Sequence, residues 1–477
     1  MNTHSRIPMK NLSVDVAVIG AGTAGLAAYR AARARGATAV LIEAGPHGTT
    51  CARVGCMPSK LLIAAAEAAH AIDDAPGFGV HAVGGKRVDG VAVMARVRAE
   101  RDRFVGFVVK GVEGIPESDR LVGRARFTGR LSLEVEGVAK VAFRAAVIAT
   151  GSRPAVPPLL ARAGDRLVVN DDVFSWTDLP RSVAVFGPGV IGLELGQSLA
   201  RLGVRVVVLG RGGAVGPLAD PVVRAAYARS LASEFYLDPD AHVERVERVE
   251  DGVEVAFRGL SGEPRVERFE WLLAATGRRP NVDGLGLETL GLETDAQGVP
   301  VRDRATLRLG DSTIFLAGDA ANDIPLLHEA ADEGRIAGRN AASPASAEPG
   351  ERRAPLAVVF TDPQVALVGG GFAALPAGRF VAGEVSFEDQ GRSRVMRRNR
   401  GHLRVYAEKG TGRFLGAEMA GPAAEHIGHL LAWALANRMT VDSMLRMPFY
   451  HPVVEEGLRT ALRDLDARLK APEAIAA

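Results

Sequence analysis

Cysteine is nearly absent from this 477-residue chain: Cys51 and Cys56 are the only two. A disulfide-framed secreted protein of such length would carry more of them, spread along its sequence. Two thiols cannot build a four-thiolate zinc site, and no histidine cluster flanks them to complete a mixed one, so no metal is expected. An excess of one charge is also missing, since 58 Lys plus Arg face 56 Asp plus Glu. Nucleic acid or an anionic membrane would demand a surplus of cations, and neither is expected as a partner. No run of about 20 apolar residues exists to span a bilayer. The first residues, MNTHSRIPMKN, are polar and lack the apolar stretch of a secretory signal. A cytoplasmic location is expected.

Glycine is abundant instead, at 55 residues, above the usual share of about 7%. With 5% aromatics, this composition suggests the tight strand-to-helix turns of nucleotide-binding α/β folds. The length suits about three domains.

Residues 14–19 (VDVAVI) form a β-branched apolar run that meets Gly20, Gly22 and Gly25 in Gly-Ala-Gly-Thr-Ala-Gly. A helical pattern follows, and a second strand at 38–42 ends in Glu43. In such a unit the first glycine makes the turn, the second admits a pyrophosphate to the backbone and the third lets helix and strand pack. The phosphates sit at the helix N-terminus, and the acid accepts from ribose hydroxyls. The unit recurs as the strand 182–186, then Gly187, Gly189 and Gly192, a helix to about Leu202 and a strand at 204–209. Two units imply two dinucleotides. The second has Gly210 in place of the acid, followed by Arg211. Without the carboxylate a 2′-phosphate is not repelled, and a guanidinium can pair with it, so NADP is expected over NAD. A solvated surface Arg211 is the alternative.

Ala149-Thr150-Gly151 and Ala275-Thr276-Gly277 each end an apolar run and read as turns between domains, while Asp319 follows the strand-like stretch 313–318. The Ala/Pro/Ser-rich segment 341–354 reads as a boundary. Beyond it, strands at 357–360, 379–386, 402–407 and 414–419 and helices at 423–436 and 453–467 predict an α+β module. The cysteines stand in Cys51-Ala-Arg-Val-Gly-Cys56-Met-Pro-Ser-Lys60. They read either as two small buried apolar side chains or as a redox pair. An undistorted helix would separate them by about 7.5 Å along its axis, too far for a disulfide, which wants Cα atoms about 4.4–6.8 Å apart. Gly55 and Pro58 permit distortion, and a helix from Lys60 to Ala71 would favour a thiolate at Cys56 through its dipole.

These residues together resemble the class I pyridine-nucleotide-disulfide oxidoreductase family, most of all its dihydrolipoyl dehydrogenases and then its glutathione reductases. The resemblance rests on both glycine units, Cys51 through Cys56 to Lys60, the two Ala-Thr-Gly turns, Gly318-Asp319, Phe360-Thr-Asp-Pro363 and His451-Pro452 with Glu456. It implies two Rossmann-like dinucleotide-binding domains plus a C-terminal α+β dimerisation domain. The FAD domain takes 12–152 and 281–345, the NAD(P) domain 153–280 and the dimerisation domain 355–477. FAD lies on the first unit with Asp319 beside it, and NAD(P) lies on the second. Lys60 sits by the flavin and pairs with Glu194.

By the same resemblance, Cys51 and Cys56 form a redox disulfide in which Cys56 is the charge-transfer thiolate beside the flavin and Cys51 attacks the substrate. His451, oriented by Glu456, exchanges protons with the partner chain's thiols across a composite homodimeric site, as imidazole is suited to do near neutral pH. His328 reads as structural or flavin-adjacent. The chain departs from the family at Thr49, where glycine is usual, at Arg53 for Asn, at Phe449 for a second His and at Val453 for Thr. These changes touch the substrate channel. The expected function is electron transfer between NAD(P)H and a small disulfide. The alternatives are a glutathione-reductase-like enzyme, a flavin transhydrogenase, whose relatives lack the cysteine pair, and a structural flavoprotein of a multienzyme complex. Mercuric and large thioredoxin reductases use further C-terminal cysteines, which are absent here.

Overall fold

The computed structural model describes residues 9–471, which divide into two compact units. The first comprises 9–58, 98–155 and 278–352, and the second comprises 59–97, 156–277 and 353–471.

In the first unit, Lys10–Ile19 is the central strand of a sheet. Ala39–Glu43 and Ala139–Ile148 flank it in parallel, Arg120–Val122 extends one side and Ile314–Leu316 pairs with 139–148. Where these strands pair in parallel, Val16–Ile19, Ala39–Ile42 and Ala145–Ile148 are unbroken runs of buried apolar residues, as a parallel sheet covered on both faces requires. Helices Thr23–Ala34 and Leu327–Ala342 pack together closely. A Cβ on Gly334 would stand 2.2 Å from the Ala24 carbonyl oxygen, and one on Gly338 2.2 Å from that of Ala28. Only glycine lets the two backbones approach so far.

The second unit holds a five-stranded parallel sheet ordered 236–238, 205–209, 182–186, 271–274 and 167–169. An antiparallel meander of Val243–Val249, Gly252–Arg258 and Pro264–Phe269 adjoins it. The C-terminal module is a five-stranded antiparallel sheet backed by helices Ala424–Ala436 and Glu455–Lys470. The architecture is therefore α/β, with two Rossmann-type domains and a C-terminal α+β domain.

Several elements differ from expectation. The helix assigned to Lys60–Ala71 runs from Cys56 to Asp74 and includes Pro58 in its first turn. Proline distorts nothing there, because first-turn N–H groups have no intrahelical acceptor. The strand Gln364–Val368 and the whole meander went unassigned. Charged residues alternate along the meander, so its strands lack the apolar run that marks the parallel sheets.

A buried ionic cluster ties the module to the nucleotide sheet within the second unit. Arg201, 5% exposed, donates to Glu234 at 2.7 Å and to Asp362 at 3.0 Å. Burial pushes the Asp362 carboxyl up, but Arg201 and Arg400 outweigh this and hold it below the usual carboxylate range. Its contribution to stability is present above the unfolded-state pKa and is lost as pH falls through the lower folded value. Arg201→Leu leaves Glu234 and Asp362 only the longer contacts of Arg400, at 3.4 and 3.6 Å, and is expected to cost about 3 kcal/mol, the lower end of the penalty for breaking a buried pair. Chemical denaturation at neutral pH measures it, and a loss under about 1 kcal/mol would show that the cluster is solvated.

Candidate active site

The two glycine units share the same local backbone geometry. Gly20 and Gly187 have φ of +103° and +102°, and an added Cβ would stand 2.3 Å from the Ala149 carbonyl oxygen and 2.4 Å from that of Ala275. A Cβ on Gly25 would reach the Gly20 carbonyl oxygen at 1.8 Å, and one on Gly192 that of Gly187 at 2.0 Å. Gly22 and Gly189 face open space, and each is the N-cap of its helix without a side-chain cap. Each helix thus presents uncapped backbone N–H groups to a cleared approach, which is the chemistry a pyrophosphate needs. Glu43 accepts from the Ala21 N–H at 2.7 Å and the Gly45 N–H at 2.8 Å, leaving lone pairs for a ribose. The chain's residues fit two dinucleotides. Gly192→Val is expected to abolish nicotinamide binding, seen by calorimetry, while FAD content stays at wild-type level; wild-type affinity would dissociate the second cradle from the nucleotide.

Thr150, Gly151 and Asp319 meet at the carboxyl end of the first sheet. Thr150 Oγ1 donates to the Asn281 carbonyl at 2.7 Å, and Asn281 Nδ2 returns a bond to the Thr150 carbonyl at 3.1 Å. Ser152 Oγ donates to Asp319 at 3.0 Å and accepts from Arg278 Nε at 2.9 Å. Ser152, Arg278 and Asn281 were missed from sequence. Ser152 and Arg278 each follow an Ala-Thr-Gly turn directly, so the signal lay one residue beyond the motif. Gly277, with φ of +102°, closes the turn that follows the second sheet's 271–274 strand.

Cys51 lies half-buried in the short helix Thr50–Val54, and Cys56 is the exposed first residue of the next helix. Gly55 breaks the helical path between them, at φ −128° and ψ −118°. A Cβ there would stand 3.2 Å from the Cys51 Cα, so the chain folds back tightly over Cys51. Thr49 holds φ +59° and ψ 152°, a strained conformation for a β-branched residue. Its hydroxyl accepts from the Ala52 N–H at 3.3 Å, capping the helix that carries Cys51 and offsetting part of that strain.

In the second unit, Lys60 Nζ bonds both Glu194 oxygens, at 3.0 and 2.8 Å, and lies 4.6 Å from the centre of the Phe360 ring. Glu194 is buried and also accepts from the Phe360 N–H at 2.9 Å. One turn on, Gln197 clamps the Asp362 backbone, accepting from its N–H at 2.8 Å and donating to its carbonyl at 2.6 Å. Gln197 had no motif to announce it.

His451 Nδ1 stands 3.0 Å from Glu456 Oε2, and the ring is largely exposed. Burial pushes the Glu456 carboxyl up, but bonds from His451 and the Val453 amide, with the charges of His451 and Arg459, outweigh it and keep it below the ordinary range. His328 lies at the start of its helix, half exposed, 4.0 Å from Glu329. Arg211 and Asp240 are both exposed, each two residues beyond the end of a strand of the second parallel sheet. Among the described residues, no group of three or more His, Cys, Asp or Glu could hold a metal, and no helix is long and apolar enough to cross a membrane.

Two glycine-lined helix N-termini at the ends of parallel strands, with a cysteine pair following the first in the chain, fit the class of dinucleotide-dependent oxidoreductases. The chain belongs to the pyridine nucleotide-disulphide oxidoreductase family, whose main domain matches residues 14–334 and whose dimerisation domain matches 356–462. It is 32% identical over 473 residues to mercuric reductase of Shigella flexneri, covering 96% of this chain and 82% of that protein. It is likewise 32% identical over 476 residues to dihydrolipoyl dehydrogenase 3 of Pseudomonas aeruginosa, covering 96% and 98%. Its fold matches LpdA of Mycobacterium tuberculosis with a TM-score of 0.81 at 25% identity, covering 96% and 100% of the two chains. It also matches the flavoprotein disulfide reductase RclA of Escherichia coli with a TM-score of 0.79 at 23% identity, covering 95% and 99%. The protein is a class I flavoprotein disulfide reductase that acts on sulfur groups with FAD and a nicotinamide cofactor, and its dimerisation domain makes it a homodimer.

Proposed function

We propose that this enzyme moves electrons between NAD(P)H and a small, neutral disulfide of the dihydrolipoamide type through Cys51 and Cys56. The observation that carries this is the tight fold at Gly55, which turns the chain back over Cys51 just before Cys56. When bound, FAD supplies the two-electron relay between nicotinamide and sulfur. Two electrons and a proton from NAD(P)H, with one further proton, convert the Cys51–Cys56 disulfide to a dithiol. The Cys51 thiolate attacks the substrate disulfide, forming a mixed disulfide and releasing one substrate sulfur as thiolate. Cys56 then attacks Cys51 Sγ, releasing the second sulfur and restoring the disulfide. His451 of the partner subunit gives each departing sulfur its proton, with Glu456 holding the ring and stabilising its charged form. Lys60, fixed by Glu194, would be the cation that offsets negative charge on FAD.

The surroundings of His451 support a neutral substrate. Met447, Phe449, Tyr450 and Val453 are apolar or aromatic, and Tyr450 is 80% exposed. Arg446 and Arg459 are held by Asp442 and Glu456, so the carboxylates of oxidised glutathione would have to compete with carboxylates already in place. Arg211 favours NADP as the nicotinamide. A panel of lipoamide, oxidised glutathione and Hg(II), each with NADH and NADPH, tests the assignment. Lipoamide is expected to exceed glutathione in kcat/KM by at least about 10-fold, near 1.4 kcal/mol. Preferred glutathione turnover would move the assignment to a glutathione-reductase-like enzyme, and preferred Hg(II) reduction to a metal-ion reductase.

A further inference from the structure

In the first cradle the Gly20 N–H bonds the Ile42 carbonyl, and in the second the Gly187 N–H bonds that of Leu209. Ile19 pairs with Ile42 as Phe186 pairs with Leu209. This register makes Gly210 the counterpart of Glu43 and Gly212 the counterpart of Gly45. Position 210 cannot take a carboxylate in this backbone: a Cβ there would stand 2.5 Å from the Pro239 carbonyl oxygen and 2.6 Å from Pro188 Cγ. A carboxylate is nevertheless present. Asp240 Oδ1 accepts from the Gly212 N–H at 2.6 Å, the counterpart of the amide on which Glu43 docks at 2.8 Å.

Asp240 comes from the turn two residues beyond the strand Tyr236–Asp238, and Gly210 from the end of Arg205–Leu209. Leu121 pairs with Ile42, and Asp238 pairs with Leu209, but the Glu43 carbonyl then accepts from the Gly123 N–H and the Gly210 carbonyl from that of Ala241, so the second turn holds one residue more and Asp240 falls in that extra length, without a counterpart in the first cradle. The backbone around it is fixed, because Gly210 donates to the Asp238 carbonyl, Gly213 to the Pro239 carbonyl and Ala241 to the Gly210 carbonyl.

We propose that Asp240 is a specificity-determining residue of the nicotinamide-nucleotide site, replacing from the turn after the neighbouring strand the ribose-reading acid that position 210 cannot carry. Its carboxylate accepts from a free ribose 2′-hydroxyl and opposes a 2′-phosphate, while Arg211 attracts that phosphate. The two together keep both NADH and NADPH in use. The hydrogen bond that the Gly212 N–H donates to Asp240 also withholds that N–H from a 2′-phosphate. The proposal rests on the second cradle being the nicotinamide site.

The FAD-loaded dimer titrated calorimetrically with ADP-ribose and with 2′-phospho-ADP-ribose tests this without turnover. Asp240→Asn keeps an acceptor for the Gly212 N–H, so the loop survives while the charge goes. The variant is expected to shift the affinity ratio of the phosphorylated over the plain fragment upward by about 10-fold, and Arg211→Gln to shift it downward. An unchanged ratio in Asp240→Asn, with both fragments still bound, overturns the role of Asp240. If the wild type binds neither fragment, the assignment of the second cradle fails instead. Should Asp240→Asn melt early, Asp240→Glu retains the charge and must preserve the wild-type ratio, and a ratio shifted as far as in an uncharged variant also overturns the proposal.

Discussion

Cys51→Ser is expected to lower disulfide turnover by about 10⁴-fold or more, the scale on which removing the nucleophile of a concerted unit acts. A serine hydroxyl at neutral pH is almost wholly protonated and cannot open a substrate disulfide, whereas a thiolate can. The variant should still purify yellow, because Cys51 lies outside both glycine cradles and sits in a helix whose cap, Thr49, is unchanged. NAD(P)H should still bleach its flavin absorbance, since that half-reaction needs no thiol. Stopped-flow spectra and steady-state assays on one preparation separate the two steps. Disulfide turnover within tenfold of wild type would remove Cys51 from the reaction.

A second large effect is expected at His451. His451→Gln keeps a polar side chain but removes an ionisable ring, and loss of a positioned acid–base group costs about 10²–10⁴-fold. The loss should fall on steps that protonate or deprotonate sulfur and spare reduction of the flavin by nicotinamide. Glu456 sharpens this. Its carboxyl lies below the ordinary range, so it remains an anion as pH falls through that range and gives up its hold on His451 only at the lower folded value. Glu456→Gln should therefore impair the same steps, by less than His451→Gln does. If either variant slowed flavin reduction as much as thiol chemistry, the pair would be supporting the fold rather than moving protons.

Local glycine geometry was legible from sequence because it is a property of short stretches. Gly20, Gly22, Gly25, Gly187, Gly189 and Gly192 can be read from their spacing, and the structure shows each carrying the backbone approach or open edge that the spacing implies. Parallel strands such as 182–186 and 271–274 were equally visible, because a strand covered on both faces must be an unbroken apolar run. The antiparallel meander was not, since one-sided burial and alternating charge leave a weak pattern. Lys60 and Glu194 were paired by family resemblance, but nothing in their own neighbourhoods announces the 2.8 Å contact. Gln197, Arg201 and Asp362 carry no motif, and their roles arise when a helix of the nucleotide sheet meets a turn far along the chain.

Asp240 shows the division most clearly. The missing acid at Gly210 was visible in the sequence, and it pointed toward NADP. The replacing carboxylate lies in the turn that follows another strand, and strand adjacency is set by hydrogen-bond register between segments remote in sequence. Chain order therefore decided the turns, the phosphate cradles and the placing of the cysteines. Which side chains share a site was decided by packing and register, because charge acts across space and takes no account of position along the chain.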